Sequence, residues 1–125
     1  MKETTLIKIE AIVREEAYET VKAALNKIGV NGITVCQVVG CGYQRGISEY
    51  VRGQRVDVQV LPKIKFEIVV SSEEWEQKVI DTIVDVACTG NPGDGKIFSY
   101  NIRQAVKIRT RETGYDAVQS PVETK

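Results

Sequence analysis

The segment TGNPGDGKIF, Thr89 to Phe98, places four residues between Gly90 and the pair Gly95-Lys96. Loops with this spacing cradle nucleotide phosphates on backbone N–H groups, the lysine reaching the outer phosphates and a following Ser or Thr holding Mg²⁺. Here Ile97 follows the lysine, so the metal-holding hydroxyl is missing. A hydrolytic loop also opens a helix, whereas Ile97, Ser99 and Asn101 alternate with Phe98, Tyr100 and Ile102 as in a strand. Two readings remain: a glycine turn whose N–H groups form an anion nest beside a point charge, or an ordinary solvated turn.

Other chemistry is narrowed by what the chain lacks. There is no histidine, which removes Ser-His-Asp and Cys-His nucleophile systems and the zinc-hydrolase motifs. Cys36, Cys41 and Cys88 are odd in number and contain no CxxC spacing. They suit a reducing cytoplasm, where cysteine serves as a small apolar filler. No carboxylate or lysine spacing argues for acid–base work, and the expectation is a binding or signalling module rather than an enzyme. Seventeen basic residues balance seventeen acidic ones, so no net field recruits nucleic acid or an anionic membrane. The apolar runs are too short to insert in a bilayer, and Lys8 and Glu10 interrupt the first of them, so it is not expected to be a secretory h-region.

The elements that must position the glycine turn come as a duplication. IKIEAIV (Ile7 to Val13) and IKFEIVV (Ile64 to Val70) share one pattern. Alternation puts Ile7, Ile9, Ala11 and Val13 on one strand face and Ile64, Phe66, Ile68 and Val70 on its equivalent. Lys8, Glu10, Lys65 and Glu67 fall opposite. After the first strand, Ala17, Val21, Ala24, Leu25 and Ile28 recur at helical steps, and Gly29 stands where a C-terminal cap belongs. After the second, Ser71 and Glu74 have capping-box spacing, and Trp75, Val79, Ile83 and Val86 trace the predicted apolar stripe. Each helix leads to another strand, GITVCQVV (Gly32 to Val39) and KIFSYNI (Lys96 to Ile102). The order is a duplicated split βαβ: a ferredoxin-like α+β fold, one antiparallel sheet backed by two helices. A short strand near Ala105 to Ile108 is expected next, and the polar end from Glu112 to Lys125 is expected to be loose.

Between the halves lies GCGYQRGISEYVRGQRVDVQVLPK, Gly40 to Lys63. Its glycines do not match a dinucleotide fingerprint and lead into no helix. A structureless connection of this length in a compact domain is uncommon and usually functional or disordered. It reads either as a solvated β-hairpin or as a mobile arm that engages a partner, and Arg45, Arg52 and Arg55 favour the arm.

With these parts assembled, the chain resembles the PII nitrogen-regulatory signal-transduction family from about Ile7 to Asp116. The motifs carrying the resemblance are IGVNGITV, the GxGxQxG entry of the arm, LPKIKFEIVV, and TGNPGDGKIF followed by VKIRTRETG. The resemblance implies a PII-like domain over 1–116 with a mobile T-loop at about 41–58 and a flexible tail at 117–125. It implies a cytoplasmic homotrimer that binds ATP or ADP between subunits and docks through the T-loop on an ammonium or other transporter, or on a metabolic enzyme. Gly93, Asp94, Gly95 and Lys96 then hold the phosphates, and Lys107 and Arg109 reach them from a neighbouring subunit. Thr34 and Glu67 match residues facing the base side of the nucleotide, and Gly42, Gln44 and Val69 are implied to contact it too. Gln44 also matches the residue joining Mg²⁺, ATP and 2-oxoglutarate, with Arg14 and Lys63 pairing with the oxo-acid.

Several positions depart from the family pattern. Glu15 and Glu16 replace the usual Pro-Phe after the first strand, Tyr43 replaces a basic residue, and Lys107 exchanges an arginine fork for a point charge. Glu15 and Glu16 bring negative charge toward a dianion, so the expectation is a reader chiefly of the ATP/ADP ratio, with weak or absent 2-oxoglutarate binding. The family's modified tyrosine and serine fall at Val56 and Gln54, which removes both switches; Tyr50 and Ser48 lie nearby without matching. A weak ATPase on the same fold is the competing reading, disfavoured by Ile97 and the missing histidine.

Overall fold

The computed structural model describes residues 5–43, 49–51, 54–56 and 58–118. Six strands and three helices follow in the order β1 (Ile7–Arg14), α1 (Tyr18–Lys27), β2 (Ile33–Tyr43), β3 (Glu49–Val51), β4 (Gln54–Val56), β5 (Val58–Val70), α2 (Glu73–Ala87), β6 (Gly95–Asn101) and α3 (Tyr115–Val118). A 3-10 turn at Glu15–Ala17 links β1 to α1. The main sheet has four antiparallel strands in the order β2-β5-β1-β6. This is the ferredoxin-like α+β arrangement expected from the duplicated halves.

Alternation decides which face is covered. Ile7, Ile9, Ala11 and Val13 of β1 and Ile64, Phe66, Ile68 and Val70 of β5 are all buried, packed with Val21, Leu25, Val79 and Ile83 of the helices. Phe66 is the largest fully buried side chain and stacks on Tyr18 at 5.8 Å between ring centroids. Gly29 ends α1 with φ of 96°, and the Val30 N–H returns to the Leu25 carbonyl, so the cap sits where the sequence places it.

Two sequence expectations for α2 shift in register. The cap of α2 is Ser72 rather than Ser71: its hydroxyl accepts from the Trp75 N–H at 3.1 Å. The buried stripe of α2 is Val79, Ile83 and Ala87, because four-residue steps from Val79 reach Ala87; Val86 and Trp75 are each 37% exposed. Trp75 instead carries the Lys78 ammonium 4.9 Å over its ring. Ser72→Ala is therefore expected to cost about 1 kcal/mol and Ser71→Ala almost nothing, a difference that urea unfolding of the two variants measures.

The connection between the halves is a hairpin at its base. β2 and β5 pair continuously from Ile33↔Ile68 to Tyr43↔Val58, and β3 pairs with β4 beyond them. Gln44 and Ser48 lie outside the described residues. The strand expected at Ala105 to Ile108 reduces to one bridge, Val106↔Thr113, closing a turn in which Arg111 has φ of 67°. Glu112 to Val118, expected to be loose, takes part in that bridge and forms α3. Among the described residues no helix is long and apolar enough to cross a membrane.

Candidate nucleotide site

The glycine turn is built around Asp94. Its Oδ2 accepts from the Thr89 N–H at 2.7 Å and the Gly90 N–H at 3.0 Å, while Oδ1 accepts from the Thr89 hydroxyl at 2.6 Å. Gly90, Gly93 and Gly95 take φ of 85°, 98° and 111°, left-handed values that glycine adopts without a Cβ penalty and that let the chain bend tightly around the Asp94 carboxylate. The Thr89 hydroxyl first, then the Thr89 and Gly90 N–H groups and the nearby Arg14, hold the Asp94 carboxyl below the usual carboxylate range.

This has a pH consequence. A carboxyl depressed in the folded state stabilises fully above its ordinary value of 3.8, and the contribution fades as pH falls through the folded value. The melting-temperature gap between the protein and Asp94→Asn is expected to be constant from pH 7 to pH 5 and to close below pH 3.8. A gap that persists undiminished at the acid end would contradict the ionised cap.

Two cations reach the turn from the main sheet. Arg14, at the end of β1, donates from Nη2 to the Ala87 carbonyl at 3.1 Å and places Nε 3.4 Å from Asp94 Oδ1. Lys63 of β5 donates to the Gly93 carbonyl at 2.8 Å. Arg14 and Lys63 are direct cross-strand partners, so the residues matched to the oxo-acid do stand together. In this chain, however, their donors are directed at the turn. Glu16 lies 4.0 Å from Arg14 Nη1 with its carboxylate mostly exposed.

Lys96, the second residue of β6, is exposed and lies opposite Ile12. Register puts it on the sheet face away from the helices, together with Lys8, Glu10 and Arg14 of β1 and Lys63, Lys65, Glu67 and Val69 of β5. Thr34 of β2 is the direct partner of Glu67. Lys65 at 3.2 Å and Lys8 at 3.4 Å flank the Glu67 carboxylate. Lys65 above all, seconded by Lys8, holds Glu67 below the usual carboxylate range, so it stays ionised and accepts hydrogen bonds only. Tyr100 donates to Glu10 at 2.8 Å on the same face.

The remaining matched residues are placed as follows. Gly42 lies in β2, opposite Gln59. Lys107 and Arg109 lie in the turn after β6, where Lys107 pairs with Glu112 at 3.8 Å. Among the described residues, no hydrogen bond or ion pair joins Lys107 or Arg109 to the glycine turn. What sequence reasoning missed is the inward aim of Asp94, for which the only signal was an acid five residues after Thr89 in a glycine-rich run.

A duplicated βαβ sheet carrying an acid-centred glycine turn at the start of its last strand places the chain among ferredoxin-like α+β domains. The family model described as Nitrogen regulatory protein P-II matches residues 6–112. Among curated relatives, the Nitrogen regulatory protein P-II of Rhizobium meliloti is 46% identical over 111 residues, covering 89% of this chain and 98% of that one. Nitrogen regulatory protein P-II 1 of Methanothermobacter thermautotrophicus is 47% identical over 114 residues, covering 91% and 98%. Among solved structures, the B. subtilis GlnK–ATP complex superposes with a TM-score of 0.75 at 38% identity, covering 90% of this chain and 95% of that one. Arabidopsis thaliana PII bound to citrate gives 0.72 at 34% identity, covering 98% and 97%. The chain belongs to the nitrogen regulatory protein P-II family.

Proposed function

We propose that the chain is a homotrimeric sensor that binds ATP or ADP competitively at its subunit interfaces and regulates a partner through the arm between β2 and β5. The observation that carries this reading is the glycine turn centred on Asp94 and ending at the exposed Lys96. The solved ATP complex of B. subtilis GlnK supports it. Gly93, Gly95 and Lys96 would hold the phosphates, with Asp94 shaping the turn. Glu67, an ionised acceptor beside Thr34 and Val69, suits the exocyclic amino group of adenine. Lys107 and Arg109 would approach the phosphates from the adjacent subunit, consistent with Ile108 being 93% exposed in the single chain. Mg²⁺ would enter with the ATP phosphates and Gln44.

The partner would be a transporter, for ammonium or another solute, or a metabolic enzyme, met in the cytoplasm. The protein is regulatory rather than catalytic, with at most a slow ATPase side activity, since Ile97 supplies no metal-holding hydroxyl. Arg14 and Lys63 are directed at the turn and Glu16 adjoins Arg14, which supports a reader of the ATP/ADP ratio with weak response to 2-oxoglutarate.

Calorimetric titration of ATP and ADP, separately and in competition, tests the reading. One shared site per subunit is expected. A charge-assisted contact contributes about 1.5–3 kcal/mol, so Lys96→Ala should weaken both nucleotides by at least about tenfold. Unchanged affinity in that variant would remove the turn from the nucleotide site, and a monomer in sedimentation would remove the interface.

A further inference from the structure

We propose that Arg14, Asp94 and Lys63 form a brace that holds the glycine turn in its anion-receptive shape, setting nucleotide affinity without touching the phosphates. The proposal rests on the reading of that turn as the phosphate site and assigns its internal positioning residues.

Asp94 cannot itself recognise a phosphate, since both are anions. Its carboxylate is instead turned inward: Oδ1 takes the Thr89 hydroxyl and faces Arg14, and Oδ2 takes the Thr89 and Gly90 N–H groups. Those contacts close the turn on its own first residues and counter the negative charge that would otherwise oppose a phosphate. Arg14 makes the closure depend on the rest of the fold. Its Nη2 holds the Ala87 carbonyl, at the last residue of α2, while its Nε faces Asp94. The Nε–H is buried and has no hydrogen-bond acceptor among the described residues, so the Asp94 contact is an ion pair in a partly desolvated site. One guanidinium thus ties the end of β1, the end of α2 and the turn. A helix C-terminus leaves carbonyls unpaired and favours a cation, which suits Arg14 to this place.

Lys63 completes the brace from β5. It donates to the Gly93 carbonyl in the middle of the turn, and its own cross-strand partner is Arg14. Two cations directly opposite on a sheet repel; here Asp94 and the Gly93 carbonyl supply the offsetting negative charge. β5 continues unbroken from Val58, at the base of the arm, to this ladder, so the brace joins the turn to the strand that carries the arm.

The test compares ATP and adenosine affinities, the latter read by competition, in the full chain and in Arg14→Met, Asp94→Asn, the double variant, Lys63→Met and Lys96→Ala. Arg14→Met and Asp94→Asn are each expected to weaken ATP on the order of tenfold, with the double variant no weaker than the worse single one, because coupled residues do not add. Lys63→Met should weaken ATP in the same direction. Adenosine, which has no phosphates, should bind all five variants like the parent protein. Arg14→Lys keeps the charge but lacks the fork that serves Ala87 and Asp94 together, and should recover part of the affinity; it also serves if Arg14→Met does not fold. ATP losses that multiply in the double variant, or adenosine losses that parallel them, would overturn the brace. Unchanged ATP affinity in Arg14→Met and Asp94→Asn would overturn it too, leaving the phosphate reading intact provided that Lys96→Ala still weakens ATP. If Lys96→Ala leaves ATP unaffected, the phosphate reading itself is what fails.

Discussion

Gly95→Ala should destabilise the protein by at least about 3 kcal/mol and abolish nucleotide binding with it. A Cβ at this position would lie 1.9 Å from the Ile12 carbonyl oxygen and 2.9 Å from its carbon, and the backbone there has φ of 111°. The obstructing atoms belong to the main chain of β1, so no side-chain rotation relieves the clash. The start of β6 must move away from β1 and give up the Val13↔Gly95 end of the ladder. Against a total stability of about 5–15 kcal/mol for a domain, that is a large fraction. Gly90→Ala is the control: its φ is 85° but no atom of the described residues lies within 4 Å of an added Cβ, so only the left-handed backbone is penalised, by about 1–2 kcal/mol. Equal urea midpoints for the two variants would show that β1 does not press on the turn.

Phe66→Ala should cost a further-reaching 3–5 kcal/mol, roughly the usual loss for emptying a buried aromatic site. Phe66 is fully buried at the middle of β5, between Ala11 of β1 and Val35 of β2, with Tyr18 stacked on it. The effect should fall on stability alone. Lys65 and Glu67 on either side point to the opposite face, so ATP affinity measured well below the lowered melting temperature should stay within about threefold of the parent value. Loss of affinity in a variant that is demonstrably folded would mean that the core and the outer face of the sheet are coupled.

Local order and composition were written in the sequence. Period-two alternation in Ile7 to Val13 and Ile64 to Val70 sufficed to name the buried and outer faces, because a strand has only two. Gly29 sufficed for the end of α1, since an αL cap strongly favours glycine. Motif resemblance was enough for the family. Local pattern was a poorer guide where two choices were close in energy: Ser71 and Ser72 both can cap, and only the path of the chain out of β5 selects the second. Three-residue and four-residue steps are both helical, so Val86 and Ala87 were alternatives until α2 docked on the sheet.

Tertiary structure alone decided the geometry around the glycine turn. Asp94 could turn outward or inward with the same sequence, and in the folded chain it accepts from Thr89 and Gly90. Arg14 and Lys63 are 49 residues apart in the chain and meet the turn, at Asp94 and the Gly93 carbonyl respectively, only because antiparallel register sets them opposite each other beside it. The closeness of Gly95 to Ile12 has the same origin: it is a property of the β1–β6 ladder, which joins residues remote in sequence. Short-range pattern carries the energetics of single elements, whereas a site held by long-range ion pairs and backbone contacts exists only once those elements have packed.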